Sequence, residues 1–304
     1  MYDLIIIGGG PAGLTAAIYA ARRALKTLVI SKDFGGQAIY ASQIENYPGI
    51  ESISGFELID KFKKQAEKFG AEFHSVEVKE ISLEGSGFKI QDKEGHFFNC
   101  WALILCFGAV PKKLGVPGEE KFKGRGVSYC ATCDAPFYKN KIAAVIGGGN
   151  AALDAALLLS KFAKKVYLVH RRAEFKAEAV RVAQVKTREN IELILNSVVQ
   201  EVKGDKKVSG MVVSNVEDGA EREFEVDGIF VEIGHIIESD FVRNLVKIDE
   251  HGQIIINQKC ETNLPGVFAA GDATVVPYKQ IVIAAGEGAK AALSAYSYLQ
   301  TIKK

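Results

Sequence analysis

Two cysteines separated by two residues are the first chemically informative feature of the sequence. Cys130 and Cys133 lie in the segment SYCATCDAPF, residues 128 to 137, and Asp134 directly follows the second cysteine. Cysteines at this spacing suit either a metal site or a redox-active disulfide. The rest of the chain has to distinguish between these two chemistries.

A metal site at this pair would need a second pair of cysteine or histidine ligands at a recognisable spacing. The remaining cysteines and the histidines are scattered and form no such pair. They are Cys100, Cys106 and Cys260, and His74, His96, His170, His235 and His251. The sequence therefore predicts no metal, and Cys106 is expected to be a small buried hydrophobic residue.

As a redox disulfide the pair has a coherent chemistry. A thiolate attacks a partner's disulfide through a mixed disulfide, and a second thiol two residues away resolves it. Asp134 is then the expected proton donor and acceptor, because a reduced dithiol must gain protons and a thiolate must lose them. The alternative for Asp134 is a helix cap or an acid in a turn.

A repeated glycine pattern indicates how electrons would reach such a disulfide. Two segments show an apolar run, a glycine turn, an Ala-rich helical stretch and a second strand that ends 23 residues after the first glycine. This is the pattern of a βαβ dinucleotide-binding unit, whose helix N-terminus receives the pyrophosphate, although two ordinary tight turns are the alternative. The turn positions are Gly8, Gly10 and Gly13, and then Gly147, Gly149 and Ala152.

The residues at the ends of the second strands distinguish the two nucleotides. The second unit ends in His170, Arg171 and Arg172, with Lys176 shortly after. Arginine matches phosphate oxygens, so this cluster predicts a site for the 2′-phosphate of NADPH, with a solvated basic turn as the alternative. The first unit ends in Ser31, where an acid for the ribose is usual, so its ribose must be held in another way.

Length and composition restrict the remaining choices. The chain has 304 residues, which suggests two domains, and a formal net charge of +1 with 48% hydrophobic and 25% charged residues. No bulk charge points to nucleic acid or a membrane as partner. The uncharged stretch from Leu4 to Ala21 is broken by glycines and Pro11 and follows Asp3, so it predicts a strand and helix, not a signal peptide, and a cytoplasmic location is the default.

A third segment, TNLPGVFAAGDATVVPYKQIVIAAGEGAKAALSAYSYL, predicts a strand ending at Gly271 and Asp272, a loop and a helix rich in small residues. That helix suits either close approach to a flavin or ordinary packing. Together the motifs resemble those of the low-molecular-weight thioredoxin reductases from Tyr2 to about Leu299. The matching segments are GGGPAG (8–13), GGQ (35–37), IENYPG (44–49), CATCD (130–134), GGGNAA (147–152), HRR (170–172), IGH (233–235) and GVFAAGDA (266–273).

The resemblance implies an α/β fold with two Rossmann-like three-layer dinucleotide-binding domains. The NADPH domain, residues 113–240, would be inserted in a discontinuous FAD domain, residues 1–112 and 241–304. The implied FAD residues are Gly8, Gly10, Pro11, Ala12, Gly13, Ser31, Gly35, Gly36, Gln37, Asn46, Gly108, Gly271, Asp272, Gln280 and Ile281. The implied NADPH residues are Gly147, Gly149, Asn150, Ala151, Ala152, His170, Arg171, Arg172, Lys176, Ile233 and Gly234.

The resemblance also implies an electron path from NADPH through FAD to the Cys130 and Cys133 disulfide. Cys133 would face the flavin, and Cys130 would attack the disulfide of a thioredoxin-like or glutaredoxin-like partner. A homodimer is implied as well. Ala135 and Pro136 depart from the family pattern after the acid, where glycine and aromatic residues are common, and predict a stiffer turn.

Three other functions stay open on the sequence alone. A ferredoxin-NADP reductase on the same plan would pass single electrons and need no cysteine pair. A dithiol oxidase would run the disulfide chemistry in reverse with oxygen and need no nicotinamide site, so the Arg171 and Arg172 cluster argues against it. A dinucleotide-binding sensor without enzyme activity would leave the cysteine pair unexplained.

Overall fold

The computed structural model describes residues 1–41 and 43–302. Its backbone contacts divide the chain into two compact units, Met1–Val110 with Ile236–Lys304, and Pro111–His235. The second unit is therefore inserted in the first. These limits lie within five residues of the domain limits proposed from the sequence, 112 to 113 and 240 to 241.

The first unit is built on a sheet of seven strands within the described residues. The strands are β1 Tyr2–Gly9, β2 Thr27–Phe34, β3 Glu72–Ser75, β4 Val78–Glu84, β5 Gly87–Asp92, β6 Phe97–Leu105 and β17 Val267–Ala269. Their order is β3-β2-β1-β6-β5-β4, with β17 also paired to β6. The pairs among β3, β2, β1, β6 and β17 are parallel, whereas β4, β5 and β6 form an antiparallel meander.

Strand β1 shows why this sheet lies in the centre of its unit. Leu4 and Ile6 point into one apolar cluster with helix residues, and Ile5 and Ile7 point into another on the opposite face. A strand covered on both faces reads as a continuous apolar run, as residues 4 to 7 do. The strand and helix predicted for residues 4 to 21 are thereby confirmed.

Three helices accompany this sheet: α1 Pro11–Ala21, α2 Gly55–Lys68 and α6 Ile281–Ile302. Helix α2 begins at a capping box in which Ser54 and Glu57 satisfy each other's backbone N–H groups. Helix α6 packs very closely against α1, and Gly288 permits this because it has no side chain. A Cβ added to Gly288 would lie 2.0 Å from the carbonyl oxygen of Ala12. Gly288 of the third segment therefore serves helix packing in this unit.

The described residues of the second unit form a parallel sheet and an antiparallel sheet. The strands are β8 Val127–Ser128, β9 Ile142–Ile146, β10 Lys165–Val169, β11 Ile191–Ile194, β12 Ser197–Gly204, β13 Val208–Asn215, β14 Glu221–Glu225 and β15 Gly228–Val231. The parallel sheet is ordered β11-β10-β9-β15-β8, and the antiparallel sheet β12-β13-β14. Ala143 and Val145 of β9 face a cluster with helix residues, whereas Ala144 and Ile146 face the antiparallel strands, so the parallel sheet is covered on both faces.

The helices of this unit are α3 Ala131–Asp134, α4 Asn150–Leu159 and α5 Ala179–Lys186. Two short strands, β7 Val110–Pro111 and β16 His235–Ile236, lie where the chain passes between the units. The predicted α/β class with two Rossmann-like domains is confirmed. No helix among the described residues is long and apolar enough to cross a membrane.

Three predicted strand ends differ from those observed. Strand β2 continues past Ser31 to Phe34, although Lys32 and Asp33 are polar and exposed, because Gly9 pairs with Phe34 across a bulge. Strand β10 ends at Val169, one residue before His170. Strand β17 ends at Ala269, and Gly271 and Asp272 belong to the short 3₁₀ turn that follows.

Candidate functional site

The cysteine pair forms a disulfide at the start of α3. The sulfurs of Cys130 and Cys133 are bonded, and their Cα atoms lie 5.3 Å apart. Cys130 caps the helix, so that the backbone N–H of Cys133 donates to Cys130 Sγ at 3.2 Å. Ser128 Oγ accepts from the Cys130 N–H at 3.1 Å and fixes the residue before the helix. A donor held against the Cys130 sulfur would stabilise a thiolate there after reduction.

Asp134 ends α3, one residue after the disulfide. Burial raises the pKa of its carboxyl, and a hydrogen bond with Ser128 partly opposes that rise. Because a raised pKa keeps a carboxyl protonated at higher pH, Asp134 is suited to holding a proton beside the cysteines. The predicted proton carrier is thus placed within one helical turn of Cys130 and Cys133.

Glu232 is a second carboxyl at this helix, and the sequence reasoning did not single it out. It directly follows β15, and its Oε1 accepts from the backbone N–H of Ala131 at 3.3 Å. Burial raises the pKa of Glu232 to about 7. A carboxyl with a pKa near neutrality can take up and release a proton under ordinary conditions, which is typical of functional sites.

The glycine turn of the first unit joins β1 to α1. A Cβ added to Gly13 would lie 1.8 Å from the carbonyl oxygen of Gly8, so helix and strand end are in direct contact there. Ser31 Oγ accepts from the backbone N–H of Gly9 at 2.9 Å and donates to the carbonyl of Asp33. The strand-end serine therefore holds the turn itself, a role that the sequence did not predict.

Further residues predicted for the flavin lie around this turn and at the start of α6. Asn46 Nδ2 donates to Gln280 Oε1 at 3.1 Å, although the two residues are 234 positions apart. Gln37 Nε2 donates to the carbonyl of Ala109. Burial raises the pKa of Asp272, and the positive charge of Lys279 partly opposes this. Pro11 and Ala12 begin α1, Gly35 and Gly36 follow β2, Gly108 follows β6, Gly271 lies in the 3₁₀ turn after β17, and Ile281 begins α6.

The glycine turn of the second unit joins β9 to α4 and is supported by His170. A Cβ added to Gly148 would lie 2.1 Å from His170 Cε1, so the imidazole packs directly against the turn. The ring stacks on Phe175 with centroids 5.5 Å apart, and Nε2 donates to the carbonyl of Glu174 at 3.1 Å. Burial lowers the pKa of His170, which favours the neutral form of its ring.

Of the basic residues predicted for the 2′-phosphate, Lys176 pairs with this turn, and Arg171 and Arg172 follow the end of β10. Arg171, Arg172 and Lys176 are exposed, and the backbone N–H of Lys176 donates to the carbonyl of Gly148 at 2.8 Å. Asn150 Oδ1 accepts from the Glu178 N–H at 2.9 Å, which ties the start of α4 to the same loop. Gly147 and Gly149 form the turn, Ala151 and Ala152 lie in the first turn of α4, and Ile233 and Gly234 follow β15.

Both turns fit a dinucleotide. Gly10 and Gly149 are the N-caps of α1 and α4, and the first turns of these helices carry no side-chain cap from the described residues. A Cβ added to Gly10 would meet nothing within 4 Å, and one added to Gly149 would come no closer than 3.8 Å to Lys176. Each turn thus leaves open space in front of unpaired backbone N–H groups, which is what a pyrophosphate requires.

The other three cysteines, Cys100, Cys106 and Cys260, are free and buried. Cys106 is 4% exposed and lies in the apolar cluster between the sheet and α1 and α6. Its prediction as a small buried hydrophobic residue is confirmed. Burial raises the pKa of all three thiols, so none of them is an activated thiolate.

Comparison with known proteins agrees with this arrangement. The family model described as pyridine nucleotide-disulphide oxidoreductase matches residues 2–288. The chain belongs to this family. Within it, the thioredoxin reductase of Listeria monocytogenes is 41% identical over 306 residues, which cover 100% of this chain and 96% of the relative. The thioredoxin reductase of Bacillus subtilis is 40% identical over the same shares.

A solved structure extends the agreement to three dimensions. The crystal structure of thioredoxin reductase from Streptococcus pyogenes superposes with a TM-score of 0.95 at 38% identity and covers 99% of both chains. The resemblance to thioredoxin reductases inferred from the sequence is thereby confirmed. In this pyridine nucleotide-disulphide oxidoreductase the redox disulfide lies in the same unit as the second glycine turn.

Proposed function

We propose that the chain is an NADPH-dependent, FAD-containing thioredoxin-disulfide reductase. The observation that carries the proposal is the Cys130–Cys133 disulfide, with a backbone N–H directed at Cys130 Sγ and two carboxyl groups at the same short helix. The first glycine turn would hold FAD. The second, with Arg171, Arg172 and Lys176, would hold NADPH. When bound, these cofactors supply two electrons as hydride.

The residues of the chain account for the proton balance. Reduction of the disulfide to a dithiol consumes two electrons and two protons, and Asp134 and Glu232 are the carboxyl groups with raised pKa values at this helix. Asp134 would pass a proton to and from the cysteines. Glu232, bonded to the Ala131 N–H, would hold the start of α3 and keep a second proton close.

The two cysteines have different roles in this proposal. Cys130, as the N-cap residue, would be stabilised as a thiolate by the Cys133 N–H and attack the partner's disulfide. Cys133 would face the flavin and then resolve the mixed disulfide, which releases the reduced partner and restores the Cys130–Cys133 bond. The partner is a thioredoxin-like or glutaredoxin-like disulfide protein, and a homodimer is part of the proposal.

Counting thiols in the denatured protein tests the electron path. The chain has five cysteines, of which two are bonded and three are free, so we expect three thiols as purified under anaerobic conditions. After addition of NADPH we expect the flavin absorbance to bleach and the count to rise by the two cysteines of the disulfide. Cys133→Ser should show the same count with and without NADPH.

The other outcomes identify the rival functions. Bleaching with an unchanged thiol count would favour a reductase that passes single electrons. No bleaching would favour a dithiol oxidase. Turnover of a thioredoxin then separates the proposed substrate from other disulfides, and full activity of Cys133→Ser would refute the proposal.

Replacement of Asp134 tests the proton carrier. We expect Asp134→Asn to lower kcat with a thioredoxin about 100-fold, within the usual range for loss of a general acid or base, and to leave bleaching by NADPH intact. Asp205→Asn, an exposed acid of the same unit, is the matched control and should keep full turnover. Equal turnover of both variants would show that Asp134 only ends the helix.

A further inference from the structure

Three side chains that the redox chemistry does not use meet in the first unit. His74 lies on β3, Asp92 is the last residue of β5, and His96 lies in the turn that leads to β6. The two histidines looked scattered in the sequence. The fold brings their rings to a centroid distance of 6.1 Å.

The donor atoms of this cluster are close to the spacing of a metal site. His96 Nδ1 lies 2.9 Å from Asp92 Oδ2, His74 Nε2 lies 3.7 Å from the same oxygen, and all three donor atoms lie within 4.8 Å of one another. Ligands about 2.0 to 2.1 Å from a tetrahedral zinc ion are separated by about 3.3 Å. Small rotations of the two imidazole side chains would reach that spacing.

His74 has a nitrogen that the fold leaves without a partner. Its Nε2 is shielded from solvent and has no hydrogen bond within the described residues. At 3.7 Å, Asp92 Oδ2 is too distant for a hydrogen bond. A buried polar atom of this kind calls for an explanation, and an ion between the imidazole and the carboxylate would accept its lone pair.

The carboxylate of Asp92 is held as a ligand would be. Its side chain is 0% exposed, and Oδ1 accepts from the backbone N–H of His96 at 2.8 Å. This leaves Oδ2 facing both histidines. A hydrogen bond to the remaining oxygen orients a ligating carboxylate and is a common feature around metal ligands.

The surrounding charge favours a cation. Glu94 Oε2 lies 3.8 Å from His96 Nδ1, and the nearby ammonium group of Lys93 is paired with Glu77 at 2.8 Å. His96 is 57% exposed, so solvent can supply a further ligand. Two imidazole nitrogens and one carboxylate suit Zn²⁺ or Cu²⁺, whereas Mg²⁺ and Ca²⁺ prefer oxygen ligands throughout.

We propose that His74, Asp92 and His96 form a binding site for Zn²⁺ that fastens β3 to the turn between β5 and β6. The site is independent of the proposed function, because its ligands take no part in the disulfide chemistry. It would stabilise the first unit when occupied, since an ion that binds only the folded chain shifts the folding equilibrium.

The test is a titration with Zn²⁺ against a competing chromophoric chelator, on the flavin-containing protein after removal of metals. The background is Cys130→Ser with Cys133→Ser, because reduced cysteines would bind zinc themselves. We expect one tight site per chain, and at least about 10-fold weaker binding in His74→Gln and in His96→Gln. His251→Gln is the matched control, since His251 is an exposed histidine beside Glu250.

Two further measurements, a Co²⁺ absorption spectrum and the unfolding temperature, test whether the bound ion contacts these histidines. Co²⁺ in place of zinc should give a visible d–d spectrum that is lost in His74→Gln, and Zn²⁺ should raise the unfolding temperature only where both histidines are present. Zinc binding that His74→Gln and His96→Gln leave unchanged, or that His251→Gln weakens equally, would overturn the site. Absence of tight binding would leave Asp92 and His96 as a hydrogen-bonded pair only.

Discussion

The two glycine turns rest on equivalent backbone positions that carry different side chains. A Cβ on Gly8 would lie 2.2 Å from the carbonyl oxygen of Cys106, and one on Gly147 would lie 2.3 Å from that of Glu232. Cys106 follows the end of β6, and Glu232 follows the end of β15. In both units the residue after the neighbouring parallel strand therefore closes the space behind the first glycine.

The side chains of Cys106 and Glu232 have different surroundings. Cys106 points into the apolar cluster under α1 and α6. Glu232 turns to the disulfide helix and accepts from the Ala131 N–H. The backbone that shapes the glycine turn is thus the same in both units, whereas the side chain at this position packs in the apolar core of the first unit and holds the disulfide helix in the second.

The largest effect is expected from the third position of the first turn, where the units differ as Gly13 and Ala152. Gly13→Ala puts a methyl group 1.8 Å from the Gly8 carbonyl oxygen, so α1 must move away from β1. We expect a loss of about 3 kcal/mol in the free energy of unfolding, at the upper end for overpacking, and loss of FAD. Urea unfolding and flavin absorbance of the purified protein measure both.

Gly10→Ala is the matched control for this variant. A Cβ at Gly10 would meet nothing within 4 Å, so the unfolding of the flavin-free protein should stay within about 0.5 kcal/mol of the original. FAD affinity should nevertheless fall, because the methyl group occupies the space in front of the helix N-terminus. If Gly13→Ala unfolds like Gly10→Ala, the turn adapts and the close contact is not required.

The stability of the folded protein should depend on pH through Glu232 and not through Cys106. Burial raises the pKa of Glu232 from 4.5 to about 7, so the folded protein keeps this proton after the unfolded chain has lost it. The stability of the oxidised protein should therefore fall as pH rises from about 4.5 to 7, by up to about 3 kcal/mol. Glu232→Gln should remove this part of the pH dependence and be the more stable protein at pH 8.

Cys106→Ala is the control, because its effect on stability should not vary across this pH range. Denaturant midpoints at pH 5 and pH 8 compare the two variants. A Glu232→Gln protein with the same pH dependence as the original would show that the carboxyl ionises normally and that the two positions do not differ in the way described.

Most of the fold and part of the site could be predicted, because some physical causes are visible in single residues. Gly8 and Gly147 can be recognised in the sequence because a turn that excludes a side chain requires glycine. Residues 4 to 7 can be recognised as a central strand because a strand covered on both faces is apolar throughout. Cys106 could be placed in the core because a small thiol with no ligating partner usually packs there.

The remainder depends on contacts that sequence spacing does not contain. Glu232 was missed because the recognised motif begins one residue later, although aligning CFG (106–108) with EIG (232–234) as parts of the repeat would have shown it. His74 and Asp92 meet through the arrangement of the sheet. The sequence shows only that Ser31 stands where an acid is usual. The hydrogen bond that its hydroxyl accepts from the Gly9 N–H can be predicted only when the geometry of the turn is known.

The smallest effect is expected where the units differ in surface charge. His170 and Ser31 both support their turns, but His170 is followed by Arg171 and Arg172, and Ser31 by Lys32 and Asp33. If the arginines bind the 2′-phosphate, the variant with Arg171→Ala and Arg172→Ala should show a KM for NADPH raised about 10-fold, since both side chains are exposed and an exposed charge pair contributes at most about 1 kcal/mol. Its KM for NADH should be unchanged, because NADH lacks that phosphate. Lys32→Ala should alter neither constant, and equal losses with both nucleotides would show that the arginines only support the turn.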